Sequence, residues 1–228
     1  MYSLYIANKN YSSWSLRPWV LMKSLAIPFA EQQVVFEEGS NYEAFRRFSP
    51  VGLVPCLHDD SAVIWDSLGI TEYLAERHPG VWPEHGDART FARCAAAEMH
   101  SGFSALRNIC TMNCGLRIRL REIPPGLQAN LDRLSELWTD GLRRFGGPFL
   151  AGTTFTAVDA FFAPVAFRIQ TYDLKLGTEA NAYALRVLKL PAMAEWYGAA
   201  LKETWRELAH EAEALEVGTV LQDLRATA

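Results

Sequence analysis

The stretch FTAVDAFFAPV, residues 155–165, decides the fold of the second half of the chain. Thr156 and Asp159 stand three residues apart before an apolar run, so that a hydroxyl and a carboxylate can each accept hydrogen bonds from the free amides of a helix start. The helix that follows is apolar on nearly all sides, as expected of a buried central helix. This pattern predicts a helix over 157–172 with a structural role.

Helical periodicity extends to both sides of this segment, from Asp87 onward. It predicts helices over about 87–112, 126–145, 157–172, 179–188 and 191–211, the last broken near Glu203. The arginines of LRIRLRE, residues 116–122, are expected to stabilise the C-terminal end of a helix before Pro124 and Pro125, where cations are favoured. The alternative is that they receive an acidic electrophile. We therefore expect an all-α helical bundle domain over 87–228, with a Pro/Gly-bearing linker over 81–86.

The first eighty residues alternate in type and predict a separate α/β domain. SLYIA, QQVVF, PCLH and AVIW have the composition of strands, and three helical segments lie between or after them at 15–26, 41–48 and 66–78. The order β-α-β-α-β-β-α is typical of a small mixed four-stranded sheet, with a hairpin across HDDSA adding an antiparallel edge.

Bulk composition excludes several classes of function. The 228 residues are 50% hydrophobic with a net charge of −4, which gives no long-range attraction to nucleic acid or to anionic membranes. Apolar runs are too short to cross a bilayer, and no leader pattern is present, so we expect a cytoplasmic protein.

The four cysteines do not form a disulfide framework or a zinc-finger pattern. Cys110 and Cys114, one helical turn apart, are compatible with either a metal site or buried inert thiols, and we favour the second.

Three serines crowd the predicted turn between the first strand and the first helix, in NKNYSSWSLRPW, residues 8–19. If Ser15 caps the helix, Pro18 falls in the first turn, where a missing amide proton costs little. Ser12 and Ser13 then have no structural role beside the positive end of the helix dipole, where a hydroxyl donor stabilises a bound thiolate. A serine nucleophile would need an adjacent base, and no histidine is near in sequence.

Four segments together resemble the cytosolic glutathione transferases, specifically a bacterial serine-type member related to the zeta class. They are SSWSLR at 12–17, LVPCL at 53–57, WDSLGITEYL at 65–74 and FTAVDAFFAPV. The resemblance implies a thioredoxin-like first domain that binds glutathione as co-substrate, a helical second domain that forms the co-substrate pocket, and a homodimer without a metal. The partners it implies are glutathione and a small electrophile, with no nucleic acid and no membrane.

The resemblance also implies roles for individual residues. Ser12 takes the place of the thiol-activating serine, with Ser13 as its rival, and Trp14 stands where the family has a cysteine, which excludes cysteine-dependent chemistry at this turn. The glutathione-binding positions implied by the match are Trp14, Leu53, Val54, a cis Pro55, Asp66 and Ser67. Asp66 offers a carboxylate to the γ-glutamyl ammonium, and the alternative is that Asp66 or Ser67 only caps a helix.

Two features leave the function open. Leu53 replaces the Lys or Gln that many family members use for the glycyl carboxylate, so glutathione affinity is expected to be weak unless Lys9, Arg17 or a neighbouring subunit compensates. The co-substrate pocket is expected to draw on His100, Phe103 and Arg107. We expect a glutathione transferase, with a glutathione-dependent cis-trans isomerase of the maleylacetoacetate type and a non-catalytic protein-binding relative as alternatives.

Overall fold

The computed structural model describes residues 1–227 and contains the expected first domain. Its four-stranded sheet has the order β2-β1-β3-β4, with β1 parallel to β2 and antiparallel to β3, and with β3 and β4 joined in a hairpin. The elements are β1 Tyr2–Ile6, α1 Ser13–Ser24, β2 Phe29–Gln33, α2 Tyr42–Arg46, β3 Cys56–Asp59, β4 Ala62–Trp65 and α3 Ser67–Ala75. The predicted order β-α-β-α-β-β-α is confirmed.

The second part of the chain is mainly helical, as predicted. Its elements are α4 Gly86–Ser101, α5 Ser104–Ile109, β5 Leu116–Leu120, α6 Pro125–Phe145, α7 Ala157–Tyr172, α8 Thr178–Leu188, α9 Pro191–Lys202, α10 Leu208–Glu216 and β6 Gly218–Asp223. The expected break near Glu203 is present, since α9 ends at Lys202 and the chain is extended at Glu203. The helix of FTAVDAFFAPV covers the predicted residues.

Two predicted elements are displaced or divided. The strand expected at QQVVF lies earlier, at Phe29–Gln33, where parallel pairing with β1 fixes its register. The helix expected over 87–112 ends at Ser101, because Phe103 adopts a left-handed backbone with φ 54°. Gly102 accompanies this break, since a Cβ there would lie 2.7 Å from the Glu98 carbonyl oxygen. The chain then resumes as the short helix α5.

The expectation for LRIRLRE was wrong. Leu116–Leu120 forms β5, which pairs antiparallel with β6 at the end of the chain. Leu116 and Ile118 are buried while Arg119 is exposed, so the segment alternates with the period of two that a strand requires. The helical domain therefore carries a small two-stranded sheet, and its last strand brings residues 218–223 back against the first half of the domain.

Helix α7 lies at the centre of the molecule, and its apolar side chains are buried on nearly all sides. Asp159 is fully buried and accepts hydrogen bonds from Leu150 N (3.0 Å), Thr156 N (3.0 Å) and the Tyr183 hydroxyl (2.9 Å). The predicted capping box between Thr156 and Asp159 is present. Helix α1 packs against α7 and α9, so the serine turn of the first domain faces the helical domain.

The pair Cys110 and Cys114 agrees with the favoured expectation of buried, inert thiols. Cys110 and Cys114 are completely buried, and burial raises the pKa of Cys110 to about 12 and that of Cys114 still further, as befits unreactive thiols. Within residues 1–227, no group of three or more histidine, cysteine and acidic side chains is arranged to hold a metal ion. Over the same residues, every helix is too short or too polar to cross a membrane.

Candidate active site

The serine turn differs in detail from its prediction. Helix α1 begins at Ser13 with Ser12 as the N-cap residue, so Ser15 lies inside the first turn and Pro18 lies well inside the helix. The side chain of Ser12 makes no capping hydrogen bond, and the helix has no acidic residue in its first turn. The positive end of the α1 dipole is therefore not neutralised by α1's own cap or first turn.

Ser12 is held by a chain of short contacts rather than by the helix backbone. Its hydroxyl lies 2.7 Å from Ser15 Oγ, which also accepts a hydrogen bond from Ala7 N at 3.2 Å. Because a hydroxyl proton can rotate, Ser15 can donate to Ser12, and Ser12 can then direct its own proton to a ligand. Ser15, which is fully buried, thus supports Ser12 and does not cap the helix.

Ser13 has a different environment. It is half-buried at the first position of α1, and its hydroxyl accepts a hydrogen bond from Arg168 Nη2 at 3.4 Å. Arg168 comes from the central helix α7 and also donates Nε to the Cys110 carbonyl oxygen at 2.7 Å. The apolar pattern of this helix predicted a structural role alone, and the placement of Arg168 at the serine turn corrects that prediction. Its only signal was an arginine in an otherwise apolar helix.

The remaining first-domain positions gather around the same turn. The Val54–Pro55 peptide bond is cis, as the resemblance implied. Asp66 is the N-cap of α3 and accepts a hydrogen bond from Leu68 N at 2.7 Å, so the capping alternative describes part of its role. Its second oxygen lies 3.5 Å from His100 Nε2. Ser67 is fully buried, and its hydroxyl accepts from Arg17 Nη1 at 3.3 Å, leaving the hydroxyl proton free to donate.

Three arginines converge on the region without an anionic partner. Arg17 is 2% exposed and stacks on the Trp14 ring, with its guanidinium carbon 4.0 Å from the ring centroid. Arg107 approaches the same ring at 4.8 Å. Within residues 1–227, neither of them nor Arg168 has a carboxylate within 4.0 Å, and Arg17 Nε is buried without a hydrogen-bond partner. Arg17 is thus a buried cation without a carboxylate at contact distance among these residues.

The pKa values report the same concentration of positive charge. Burial, with smaller contributions from Arg168 and Arg107, lowers the pKa of Arg17 to about 9. Burial likewise lowers the pKa of Arg168 to about 10 and also lowers that of Arg107. Buried charges of one sign are costly unless a counter-charge is supplied, and here the described residues supply none at contact distance. The arrangement is therefore suited to an anionic ligand.

The residues proposed for the co-substrate pocket separate into three environments. Arg107 lines the cleft and donates to the His100 carbonyl oxygen at 2.9 Å. His100 faces Asp66 and Trp14 instead, at the expected γ-glutamyl end. Phe103 is buried against Phe162 in the core and does not line the cleft.

Neither Leu53 nor Lys9 offers a donor to the glycyl carboxylate of glutathione. Leu53 lies at the cleft with 64% of its surface exposed and carries no group that binds a carboxylate. Lys9 pairs with Glu31 and lies 5.5 Å and 5.6 Å from the ring centroids of Trp19 and Trp196, within the interior. Lys9 therefore does not compensate for Leu53.

An interdomain cleft of about 520 Å³ lies beside the serine turn, and Asp66, Ser67 and His100 are not among its lining residues. Ser12, Ser13, Trp14, Arg17, Leu53 and Val54 line it from the first domain. Sequence reasoning missed several other lining residues, which come from distant parts of the chain: Tyr11, Phe36, Asn108, Thr111, Arg168, His210 and Glu213. The cleft thus places a hydroxyl-bearing helix start opposite basic and polar side chains of the helical domain.

Two family models match this chain. Residues 11–77 match the glutathione S-transferase N-terminal domain, and residues 88–199 match the glutathione S-transferase C-terminal domain. The chain belongs to the glutathione S-transferase family. As a glutathione transferase it uses glutathione as co-substrate, and the serine turn, the cis-proline and the Asp66–Ser67 pair lie within the matched N-terminal domain.

The individual proteins that match this chain have low sequence identity to it. A probable maleylacetoacetate isomerase from Vibrio cholerae serotype O1 is 27% identical over 70% of this chain and 78% of that protein. A zeta-class glutathione S-transferase from Euphorbia esula is 26% identical over 67% of this chain and 70% of its own length. The transferase is also similar in fold to a glutathione transferase homolog from a Burkholderia, solved with bound glutathione, at a TM-score of 0.65 and 20% identity over 87% of this chain and 97% of that one.

Proposed function

We propose that Ser12 activates the thiol of glutathione and that the resulting thiolate attacks an electrophile carrying a carboxylate. The observation that carries this proposal is the state of Ser12, an N-cap residue whose hydroxyl makes no capping bond and lines the cleft. A hydroxyl donor and the positive end of a helix both favour a thiolate over a thiol. Ser12 donates its proton to Ser15 Oγ in the structure, and rotation of the two hydroxyls, with Ser15 donating instead, makes the Ser12 proton available for sulfur.

Glutathione itself has matching partners along the first domain. Val54 is assigned to the cysteinyl backbone, and Asp66 and Ser67 to the ammonium and carboxylate of the γ-glutamyl group. Arg17 supports this end, because it donates to Ser67 while its Nε remains without a partner. A buried guanidinium behind a serine hydroxyl stabilises a carboxylate bound by that serine.

The electrophile faces the helical domain. Arg107 and Arg168 reach the cleft next to Trp14 and Ser13, so a carboxylate of the second substrate would supply the missing counter-charge. In the reaction the thiolate sulfur forms a bond to an electron-poor carbon. The displaced electron pair leaves with a leaving group, or it accumulates as an enolate that takes up a proton. Holding both reactants in one cleft supplies the proximity that such an addition requires.

A glutathione-dependent cis-trans isomerase is the second candidate. Relatives named as maleylacetoacetate isomerases support it, as do the unneutralised arginines, which suit a dianionic substrate. In this reaction the thiolate adds to a double bond, the resulting single bond rotates, and elimination returns the thiolate. Turnover of a maleyl compound compared with an aryl halide separates the two candidates: a rate on the maleyl compound alone selects the isomerase.

The experiment that tests thiol activation is an ultraviolet titration of glutathione bound to the enzyme, following thiolate absorbance. We expect the thiol of bound glutathione to ionise at a pH at least ~1 unit below that of free glutathione, because two favourable interactions act on the anion. Ionisation at the same pH on the protein and in buffer would overturn the role of Ser12. Absence of calorimetric binding at millimolar glutathione would instead favour a non-catalytic scaffold.

We further propose that the enzyme is a cytoplasmic homodimer with a role in the detoxification of electrophiles. Strand β4 forms an edge of the sheet and exposes Val63 and Trp65, an apolar pair that a second subunit would cover. Light scattering after size-exclusion chromatography is expected to give twice the mass of the chain. A monomer at micromolar concentration would contradict the dimer without affecting the proposal for Ser12.

A further inference from the structure

The last part of the chain, residues 203–227, is attached to the serine turn and is called the C-terminal segment below. It lies beyond residues 88–199, the range matched by the family model. The Glu203 carboxylate accepts hydrogen bonds from the backbone amides of Lys9 (2.7 Å) and Asn10 (3.0 Å). Trp205 Nε1 donates to the Phe36 carbonyl oxygen at 2.6 Å. The segment is therefore held against both loops that border the cleft.

A second set of contacts fixes the far end of the C-terminal segment. The Arg225 side chain is only 4% exposed and bonds the carboxylates of Glu211 and Asp223. Glu211 in turn accepts the Tyr11 hydroxyl at 2.6 Å. Strand β6 pairs with β5 along its length. These contacts hold α10 in a fixed position beside the cleft.

His210 is the residue that α10 presents to this cleft. Its ring lies against Tyr11 and Phe36, with centroid distances of 5.1 Å and 5.2 Å and an interplanar angle of 28° in each case. Its Nδ1 lies 2.6 Å from the carboxylate of Glu207, which is 7% exposed. Within residues 1–227, Nε2 of His210 has no hydrogen-bond partner. The ring is thus fixed in orientation, and its second nitrogen remains available to a ligand.

His210 lies against Phe36, an apolar residue of the cleft lining. Asp66 and Ser67 mark the γ-glutamyl end of the proposed glutathione site, and Val54 marks its middle. Phe36, Phe45 and Leu53 also line the cleft, and none of the three carries a polar side chain. Since glutathione is an extended tripeptide with a carboxylate at its glycyl end, that carboxylate would lie in apolar surroundings unless the helical domain supplied a donor.

We propose that His210 supplies that donor and binds the glycyl carboxylate of glutathione through Nε2. The inference rests on the proposed function and deepens it. With Nδ1 bonded to the Glu207 carboxylate, donation from Nε2 requires a proton on each ring nitrogen, and the stacking on Tyr11 and Phe36 holds Nε2 in place. Glu213 also lines this cleft and is the acidic group that a second carboxylate must avoid. His210 therefore replaces the polar side chain absent at Leu53.

The test compares glutathione with its C-terminal amide, which removes the glycyl charge and preserves the shape. Calorimetry on the full chain is expected to show glutathione binding ~10-fold more tightly than the amide, as for one hydrogen bond between charged groups. His210→Phe, which keeps the aromatic stacking, is expected to reduce this preference to ~2-fold or less. The matched control is His85→Phe at an exposed position that does not line the serine cleft, where the preference should be unchanged.

A rescue variant separates loss of the donor from loss of the fold. Leu53→Lys in the His210→Phe background is expected to restore the preference for glutathione over the amide.

If His210→Phe does not fold, nuclear magnetic resonance of the wild-type enzyme is the second measurement. Glutathione is expected to shift the imidazole proton resonances of His210, and the amide is not. Equal binding of glutathione and amide by the wild type, or an undiminished preference in His210→Phe, would overturn the role of His210. Failure of both ligands to bind at millimolar concentration would count against the proposed function itself.

Discussion

The helix starts of α7 and α1 carry similar residues but use them differently. At the start of α7, Thr156 and Asp159 bond each other and the surrounding backbone, and both are buried. At the start of α1, Ser12 occupies the N-cap position, yet its side chain makes no capping bond and lines a cleft. Polar groups that are bonded within the fold stabilise it, whereas groups at a helix start that remain available can bind a ligand.

The largest expected effect is a loss of stability when the start of α7 is altered. Asp159→Ala removes the acceptor of the Leu150 and Thr156 amides and of the Tyr183 hydroxyl, which would then be buried without a partner. We expect the free energy of unfolding to fall by ~3 kcal/mol or more, because each unsatisfied donor is costly. Urea unfolding followed by circular dichroism measures it.

A matched control lies at the other end of the same helix. Asp173 is exposed and follows α7 in a left-handed conformation that asparagine also tolerates. Asp173→Asn should change the free energy of unfolding by less than ~0.5 kcal/mol. A similar loss in both variants would show that the start of α7 has no special structural role, and the comparison with α1 would fail.

Both helix starts could be predicted from the sequence because their signals are local. The spacing of Thr156 and Asp159 and the apolar run behind them specify a capped, buried helix. The serine cluster likewise predicts a ligand-binding turn, although the helix begins two residues before the predicted position. Ser15 was misassigned as the cap because composition alone does not distinguish a capping serine from one that bonds another serine.

The second expected effect concerns the α1 side and should appear in activity rather than stability. Ser12→Ala is expected to lower kcat/KM with a reactive electrophile by ~100-fold, the scale for removing a donor to a developing or bound anion. The free energy of unfolding should change by less than ~1 kcal/mol, since no capping bond is lost. Steady-state kinetics and urea unfolding on the same preparation give both values.

Ser13→Ala is the matched variant for this prediction. Ser13 is beside Arg168 and remains the alternative activating residue. A greater loss of kcat/KM in Ser13→Ala than in Ser12→Ala would transfer thiol activation to Ser13. A large loss of stability in Ser12→Ala with unchanged turnover would make the start of α1 a structural cap like that of α7.

The third expected effect distinguishes a structural from a functional role of Arg168 in α7. Arg168→Met keeps the length and apolar stem of the side chain but removes the cation near Ser13. We expect KM for an electrophile that carries a carboxylate to rise ~10-fold, through loss of one charged hydrogen bond, while KM for a neutral electrophile changes little. Equal changes for both substrates would assign Arg168 to the fold of α7 alone.

The helical-domain side of the cleft was largely invisible in the sequence. Arg107 was found because an arginine among apolar neighbours stands out. Arg168 and His210 reach the cleft through the packing of α7 against α1 and the stacking of His210 on Tyr11 and Phe36. Periodicity reports which face of a helix is apolar and not which element it will meet. The strand β5 was missed although Leu116, Ile118 and Leu120 alternate with arginines, because the surrounding helical pattern dominated.

The smallest expected effect lies at a third helix start, that of α3, where Asp66 both caps the helix and faces the proposed γ-glutamyl ammonium. Burial lowers the pKa of His100 below its usual 6.5, with Asp66 opposing this shift and Arg17 and Arg107 reinforcing it. Neutral His100 therefore leaves the Asp66 charge available at pH 7. When the pH falls below the lowered pKa of His100, protonated His100 competes for that carboxylate. Calorimetry between pH 7.5 and pH 5.5 should show glutathione affinity falling ~3-fold, the scale of a half-exposed ion pair, and His100→Gln should remove that part of the pH dependence. An unchanged pH profile in His100→Gln would mean that Asp66 serves α3 as Asp159 serves α7, by stabilising the helix alone.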